Sequence, residues 1–357
     1  MKHSLSLRLC ALLLLLSVLW VALGAPLLAA EWRDIPLRLE RLLLQLPSRA
    51  HAVWQNWLLR GASSAALAES PLSGLTLRVW REAADAPEEI FLEDYVAGVV
   101  AAEMPARYGT EALKCQAVAA RTRAVFSCRA LGGNGCAAHA DCDLCDDAAC
   151  CQGYRDFAAR VAAWGSEASV LEARVLSAVR ATAGEILTYD GLPIEVLYHA
   201  CSGGRTEDAA AVFAQALPYL VSVDSPGEEG YAGYTATARF TLSEAAERLL
   251  RAFPGCGVTA EGLPGQLRLQ STTASGRVDT LLVGTQTVTG RAFRQALGLR
   301  STFITWDADD AAIVFTTRGY GHGVGMSQAG AQAMAAQGAK YADILSHYFP
   351  GALLSRL

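Results

Sequence analysis

Glu103 closes the apolar run Val99-Val-Ala-Ala102 and stands directly before Met104-Pro105. Proline cannot continue a helix, so the glutamate falls at an element end beside a loop, where reactive groups are often presented. A carboxyl among apolar neighbours has a raised pKa and can keep its proton near neutral pH. Such a group can protonate a glycosidic oxygen. The same residues also suit a solvated helix-end glutamate, and the local sequence leaves both readings open. A second polar group follows in Tyr198-His199-Ala-Cys-Ser202-Gly-Gly204. Tyr198 and His199 can hydrogen-bond hydroxyl groups, or His199 can be a satisfied structural residue. Ser202 beside His199 suggests a hydrolase nucleophile, but no G-x-S-x-G elbow surrounds it. The third group is Arg318-Gly-Tyr-Gly-His322-Gly-Val-Gly-Met-Ser-Gln328. Its glycines Gly319, Gly321, Gly323 and Gly325 permit positive φ and close approach of a ligand. His322 and Gln328 are the polar side chains this loop would present to a cleft. No GxGxxG or GK[ST] is present in the loop, so it is not a nucleotide cradle.

Cysteine forms a fourth group. The chain has 10, of which seven fall between Cys115 and Cys151. His139, Cys145, Cys150 and Cys151 supply four ligands of the kinds that tetrahedral zinc favours, with Cys136 and Cys142 as substitutes. The expected ion is structural zinc that positions a loop. Disulfides are the competing reading, open to any exported protein. No organic cofactor is expected.

These groups need a scaffold. Leu92–Ala102, residues 111–131, 170–182, 241–252 (with Ser243 as N-cap), 290–297 and 328–337 read as helices. Residues 75–80, 267–270, 278–283 and 312–317 read as strands, and residues 185–199 as a hairpin turning at Asp190-Gly191. The mixture predicts an α+β fold with mostly antiparallel strands around a cleft. The 357 residues suffice for a sizeable core. A net charge of −5 with dispersed basic residues argues against nucleic acid as a partner and allows a glycan.

Three motifs in fixed order resemble the SpoIID/LytB family of peptidoglycan-cleaving proteins: residues 92–123 around Glu103, residues 194–208 around His199, and the glycine-rich loop. The resemblance covers roughly residues 75–351. It implies a SpoIID-like fold with Glu103 as catalytic acid/base of a lytic transglycosylase. That reaction cleaves the MurNAc–GlcNAc bond of peptidoglycan glycan strands and closes a 1,6-anhydro ring on MurNAc. It places Gln152 near the cleft and makes Tyr198, His199, Ser202 and Gly204 a substrate-side loop. It also implies zinc near the cysteines, with Cys150 standing where relatives carry a second histidine. The alternative within the family is a non-catalytic protein that binds peptidoglycan and stimulates a cell-wall amidase.

The N-terminus carries Lys2 and Arg8 before an apolar run to about Ala30, with small residues suited to cleavage. Export to the periplasm or envelope is expected, with residues 1–30 as a cleaved signal or a membrane anchor. Residues 31–74 read as an amphipathic helix, which lies on a membrane or packs on its own domain, followed by a linker. Residues 75–357 form the expected catalytic domain, with a Cys-rich segment at 128–152 and a smaller subdomain at about 215–300.

Overall fold

The computed structural model describes residues 74–356 except Ala214. The export segment, amphipathic helix and linker expected before residue 74 lie outside the described residues. Among those described, no helix is long and apolar enough to cross a membrane.

β1 (Thr76–Arg81) and β2 (Ala86–Phe91) form an antiparallel hairpin that leads directly into α1 (Leu92–Glu103). Leu92 and every residue from Tyr95 to Ala101 are buried, so α1 is a core helix covered on nearly all sides. It ends where Met104 turns extended before Pro105. α2 (Thr110–Ser127) is rich in alanine and crosses the middle of this body, contacting α1 and several later elements. It stops short of Leu131. Cys128 turns extended and Arg129–Leu131 make a separate 3-10 turn.

β3 (Leu144–Cys145) joins β1 in parallel. α3 (Phe157–Ala163) and α4 (Ala168–Ala181) pack against α1, and α4 also against α2. β4 (Glu185–Tyr189) turns at Asp190-Gly191 into β5, which is only Leu192–Pro193. The expected long second hairpin strand is thus broken. Proline has no N–H to extend a ladder. β6 (Tyr198–His199) instead finds a partner far along the chain, and α5 (Ala209–Phe213) follows.

A second core begins at β7 (Thr235–Thr241). α6 (Leu242–Ala252) is capped by Thr241 in a capping box with Glu244, not by the expected Ser243. β8 (Leu267–Thr272), β9 (Val278–Val283) and β10 (Gln286–Thr289) form an antiparallel meander. α7 (Gly290–Leu297) covers it, capped by Thr289. β11 (Phe303–Ala308) and β12 (Ala312–Arg318) complete a sheet with β7. Phe315 lies inside, with Phe293, Phe240 and Trp306 rings 5.6, 6.1 and 6.5 Å away. Members of this core run from Ala238 to Phe315, later in the chain than the 215–300 expected for a subdomain. The chain leaves the first body before Thr235 and returns after Arg318. The Gly319 N–H donates to the Tyr234 carbonyl at 2.7 Å and closes the neck of this insertion.

β13 (Met326–Ser327) pairs with β6, then α8 (Gln328–Ala336) and α9 (Tyr341–Tyr348) pack on α2. β14 (Leu353–Arg356) pairs antiparallel with β4. The outcome is an α+β fold whose strands are mostly antiparallel, as the sequence predicts.

Arg121 ties the first body together. Its side chain is fully buried in α2. Nε and Nη2 donate to the two Glu93 carboxylate oxygens at 2.8 and 2.7 Å. Nη1 reaches the Glu185 carbonyl at 3.1 Å and Nη2 the Val179 carbonyl at 3.3 Å. One guanidinium thus satisfies groups from α1, α4 and β4. Arg121→Met is expected to lower unfolding free energy by about 3 kcal/mol, since it strands buried acceptors while keeping the volume. Chemical denaturation followed by circular dichroism measures this. An unchanged midpoint would refute the hub role.

Candidate active site

The end of α1 delivers Glu103 to the wall of a cavity of about 750 Å³. Among the described residues, the carboxylate is held from one side only. Its Oε1 accepts the Gly153 N–H at 2.5 Å. A Cβ there would stand 2.6 Å from Glu103 Oε1 and would push the carboxylate aside. The loop carrying Gly153 also packs Tyr154 over Gly98 of α1, where any Cβ would lie 2.4 Å from the ring. Burial raises the Glu103 pKa above its ordinary value, and the Gly153 N–H opposes that only in part. The group therefore holds a proton more readily than a solvated glutamate, as a general acid must.

The loop is anchored by thiols. The sulfurs of Cys136, Cys145, Cys150 and Cys151 all lie within 4.8 Å of one another. Cys136 stands 3.7 Å from both Cys150 and Cys151, which are 3.9 Å apart. Tetrahedral thiolates at about 2.3 Å from zinc would be about 3.8 Å apart, so the spacing fits a four-thiolate metal site. It is too long for a disulfide, and every described cysteine is free. In this cluster Cys136 stands where His139 was expected. The Cys136 N–H donates to the Cys142 carbonyl and the Cys142 N–H to the His139 carbonyl, which curls the loop and turns Cys136 inward. His139 stacks on Trp80 at 4.4 Å and meets Glu82 at 3.2 Å instead. Burial opposes ionisation of Cys136, but the Ala138 and His139 N–H groups prevail and hold its pKa low. Burial raises the thiols of Cys145 and Cys151. A cation would have to overcome that cost.

Directly after these thiols, Gln152 enters the cavity wall with Tyr198, His199 and His322. The Gln152 amide donates to the Tyr95 hydroxyl at 3.1 Å and accepts from the Tyr198 hydroxyl at 3.0 Å. His199 Nδ1 lies 3.1 Å from the Val324 carbonyl, which makes that nitrogen the protonated one. Burial first, then the electrostatic influence of His322 and Arg277, pushes the His199 pKa well below its ordinary value. His322 accepts the Val324 N–H at Nδ1, at 3.1 Å. Burial, then Arg294, pushes its pKa down to about 4. Both imidazoles are thus uncharged at neutral pH.

The glycine-rich loop contributes Tyr320, Gly321 and His322 to the wall. Gly321 is needed because a Cβ would meet His199 Cβ at 2.7 Å. Gly323 turns away, against the Arg277 guanidinium. Gln328 does not face the cavity. It is buried and its amide donates to Gln116 Oε1 at 3.1 Å.

Ser202 and Gly204 do not line the cavity either; they bind Glu228. This buried carboxylate accepts from Ser202 Oγ, Ser225 Oγ and the Gly203 and Gly204 N–H groups at 2.7–3.0 Å. Burial alone would raise its pKa, but hydrogen bonds from Ser327, Ser225, Gly204 and Ser202 hold it below the usual value. Glu228, Glu207 and Arg277 are functional-looking residues that the sequence analysis does not single out. Arg277 is 2% exposed and donates to the Ser202 and Arg205 carbonyls at 2.7 and 3.1 Å. It thereby clamps the second core to the loop behind the cavity. Other carboxylates also line the cavity: Glu195, Glu207 and Asp279. Each is engaged, with Arg123, with Thr273 and Ser275, and with Ser271 respectively.

The raised pKa has a sign that can be checked by stability. The folded state binds the Glu103 proton more tightly than the unfolded chain, so Glu103 costs stability as pH rises above the ordinary glutamate range. Glu103→Gln is expected to melt higher than the parent at pH 7 and no higher at pH 4. Thermal melts at both values test this. A variant less stable at pH 7 would refute the desolvated carboxyl.

A family model described as "Stage II sporulation protein" matches residues 81–189, which include Glu103, Gln152 and the thiols. Stage II sporulation protein D of Bacillus subtilis is 38% identical over 283 residues, 79% of this chain and 80% of that protein. The protein of the same name from Bacillus amyloliquefaciens is also 38% identical, over 81% of this chain and 80% of its own length. An amidase enhancer of Bacillus subtilis is 27% identical over 72% of this chain, but over only 40% of its own length. With such identity across most of its length, and with its glutamate, thiol and glycine-loop motifs meeting at one cavity, this chain belongs to the stage II sporulation protein D family.

Proposed function

We propose that this protein is a lytic transglycosylase of peptidoglycan glycan strands. One observation carries the reading: a half-buried glutamate with a raised pKa, held by a single amide in a saccharide-sized cavity wall. Glu103 donates its proton to the oxygen between MurNAc and the next sugar. The C1–O bond breaks and its electrons go to that oxygen. The MurNAc 6-hydroxyl then attacks C1, and the Glu103 carboxylate takes the hydroxyl proton. A 1,6-anhydro ring forms, no water is consumed, and the acid is restored. Gln152, Tyr198 and the neutral His199 and His322 offer hydrogen bonds to sugar hydroxyls without adding charge.

Zinc, bound by Cys136, Cys145, Cys150 and Cys151, would supply cross-linking of the loop and no reactive water. Its place next to Gln152 and Gly153 supports a positioning role for those two residues. The names of the relatives support an extracytoplasmic site of action, consistent with an exported N-terminus.

Glu103→Gln keeps shape but cannot transfer the proton. Cleavage should slow by at least about 10²-fold, as loss of positioned acid–base catalysis predicts. Mass spectrometry of strands digested by the parent protein should find 1,6-anhydroMurNAc ends. Reducing ends would point to hydrolysis with one of the other cavity carboxylates. The likeness to an amidase enhancer supports a second reading, glycan binding that stimulates an amidase. No cleavage by either protein, with binding intact, would favour it.

Elemental analysis of protein purified without chelator should give about one zinc per chain. Cys136→Ser should lose it, and His139→Ala should retain it. The opposite pattern would restore the histidine to the ligand set.

A further inference from the structure

Glu103 borders two cavities, not one. On its other side lies a second cavity of about 510 Å³, which also has Gly153, Tyr154, Arg155 and Arg160 in its wall. Only Glu103 and Ala148 are common to the walls of both. A carboxyl that protonates a bridging oxygen must have a sugar on each side of it. A carboxyl at the junction of two cavities satisfies that demand.

We propose that the second cavity is the binding site for the sugar across the scissile bond from the one in the larger cavity. This rests on the reading of Glu103 as the acid. The chemistry of the wall supports a ligand rich in acceptors. Of its acidic groups, Asp146 is paired with Arg81, while the exposed Glu82 contacts His139 and the exposed Asp147 accepts the Ala149 N–H. Among the described residues, neither Arg155 nor Arg160 pairs with a carboxylate. Arg160 Nε donates to the Ala101 carbonyl at 2.9 Å, which pins the guanidinium beside the last turn of α1 and leaves its other donors free. Arg155 makes only a 3.5 Å contact to the carbonyl before it. The floor is rigid, because Tyr154 stacks on Tyr95 at 5.1 Å with Arg81 4.7 Å from its ring centre. Guanidinium donors without a carboxylate partner in such a wall suit sugar hydroxyls and the carboxylate of a muramyl side chain.

The test uses the full chain carrying Glu103→Gln, so that ligands are not consumed. Calorimetry measures its affinity for peptidoglycan glycan fragments of two, four and six sugars. Affinity should rise with length once a fragment fills both cavities. Adding Arg155→Ala and Arg160→Ala should remove that gain, about tenfold or more, as expected for lost charged hydrogen bonds. Thermal melts that match those of the Glu103→Gln protein report an intact fold. An equal gain with length in both proteins, or no gain in either, would overturn the second site. Failure of the transglycosylase reading shows separately, as absence of 1,6-anhydro ends from the unsubstituted protein.

Discussion

The contact between the Glu103 carboxylate and the Gly153 amide is the constraint on which the site depends. It joins the end of a core helix to a loop 50 residues later in the chain. The helix cannot shift, because nearly its whole surface is buried. The loop cannot shift as long as its thiols stay together and Tyr154 remains seated over Gly98. The carboxyl receives one donor, enough to orient it and too little to cancel the cost of burial. A second donor, or a nearby cation, would favour the ionised form and remove the proton that the proposed chemistry needs.

Charge is handled differently elsewhere in the molecule. Glu228 is as deeply buried as any carboxylate here, yet several donors surround it and it stays ionised. Glu93 faces the fully buried Arg121. Arg277 lies between the fields of Glu207 and Glu228, and burial still lowers its pKa to about 10. Glu228 and Glu93 are satisfied by partners, whereas Nε and Nη1 of Arg277 have no hydrogen-bond partner among the described residues, and all three build the scaffold. Glu103 differs from them in having little compensation. That contrast separates a reactive carboxyl from structural ones more clearly than burial does.

Much of the architecture was legible from local pattern. The apolar run into Glu103, the proline stop, the Asp-Gly turn, the capped helices of the second core and the glycine-rich return all fold close to where periodicity and turn chemistry place them. Errors fall where a partner, distant or near, competes with the expected one. The second hairpin strand stops at Pro193, and β6 pairs with β13 more than a hundred residues away. Thr241 displaces Ser243 as a cap because Glu244 completes a box with it.

The sequence alone determined the kinds of chemistry on offer: a carboxyl among apolar residues, a concentration of soft ligands, and a loop able to approach a ligand closely. These follow from residue type and near neighbours, which local sequence contains. Only the tertiary structure decided which residues meet. It put Cys136 in the thiol set and sent His139 to Trp80. It turned Ser202 and Gly204 toward Glu228 and Gln328 toward Gln116, away from the cavity that His199 and His322 line. It also set Glu103 between two cavities. Such choices depend on hydrogen bonds and packing across tens to hundreds of residues. No periodicity within a single helix or strand encodes them.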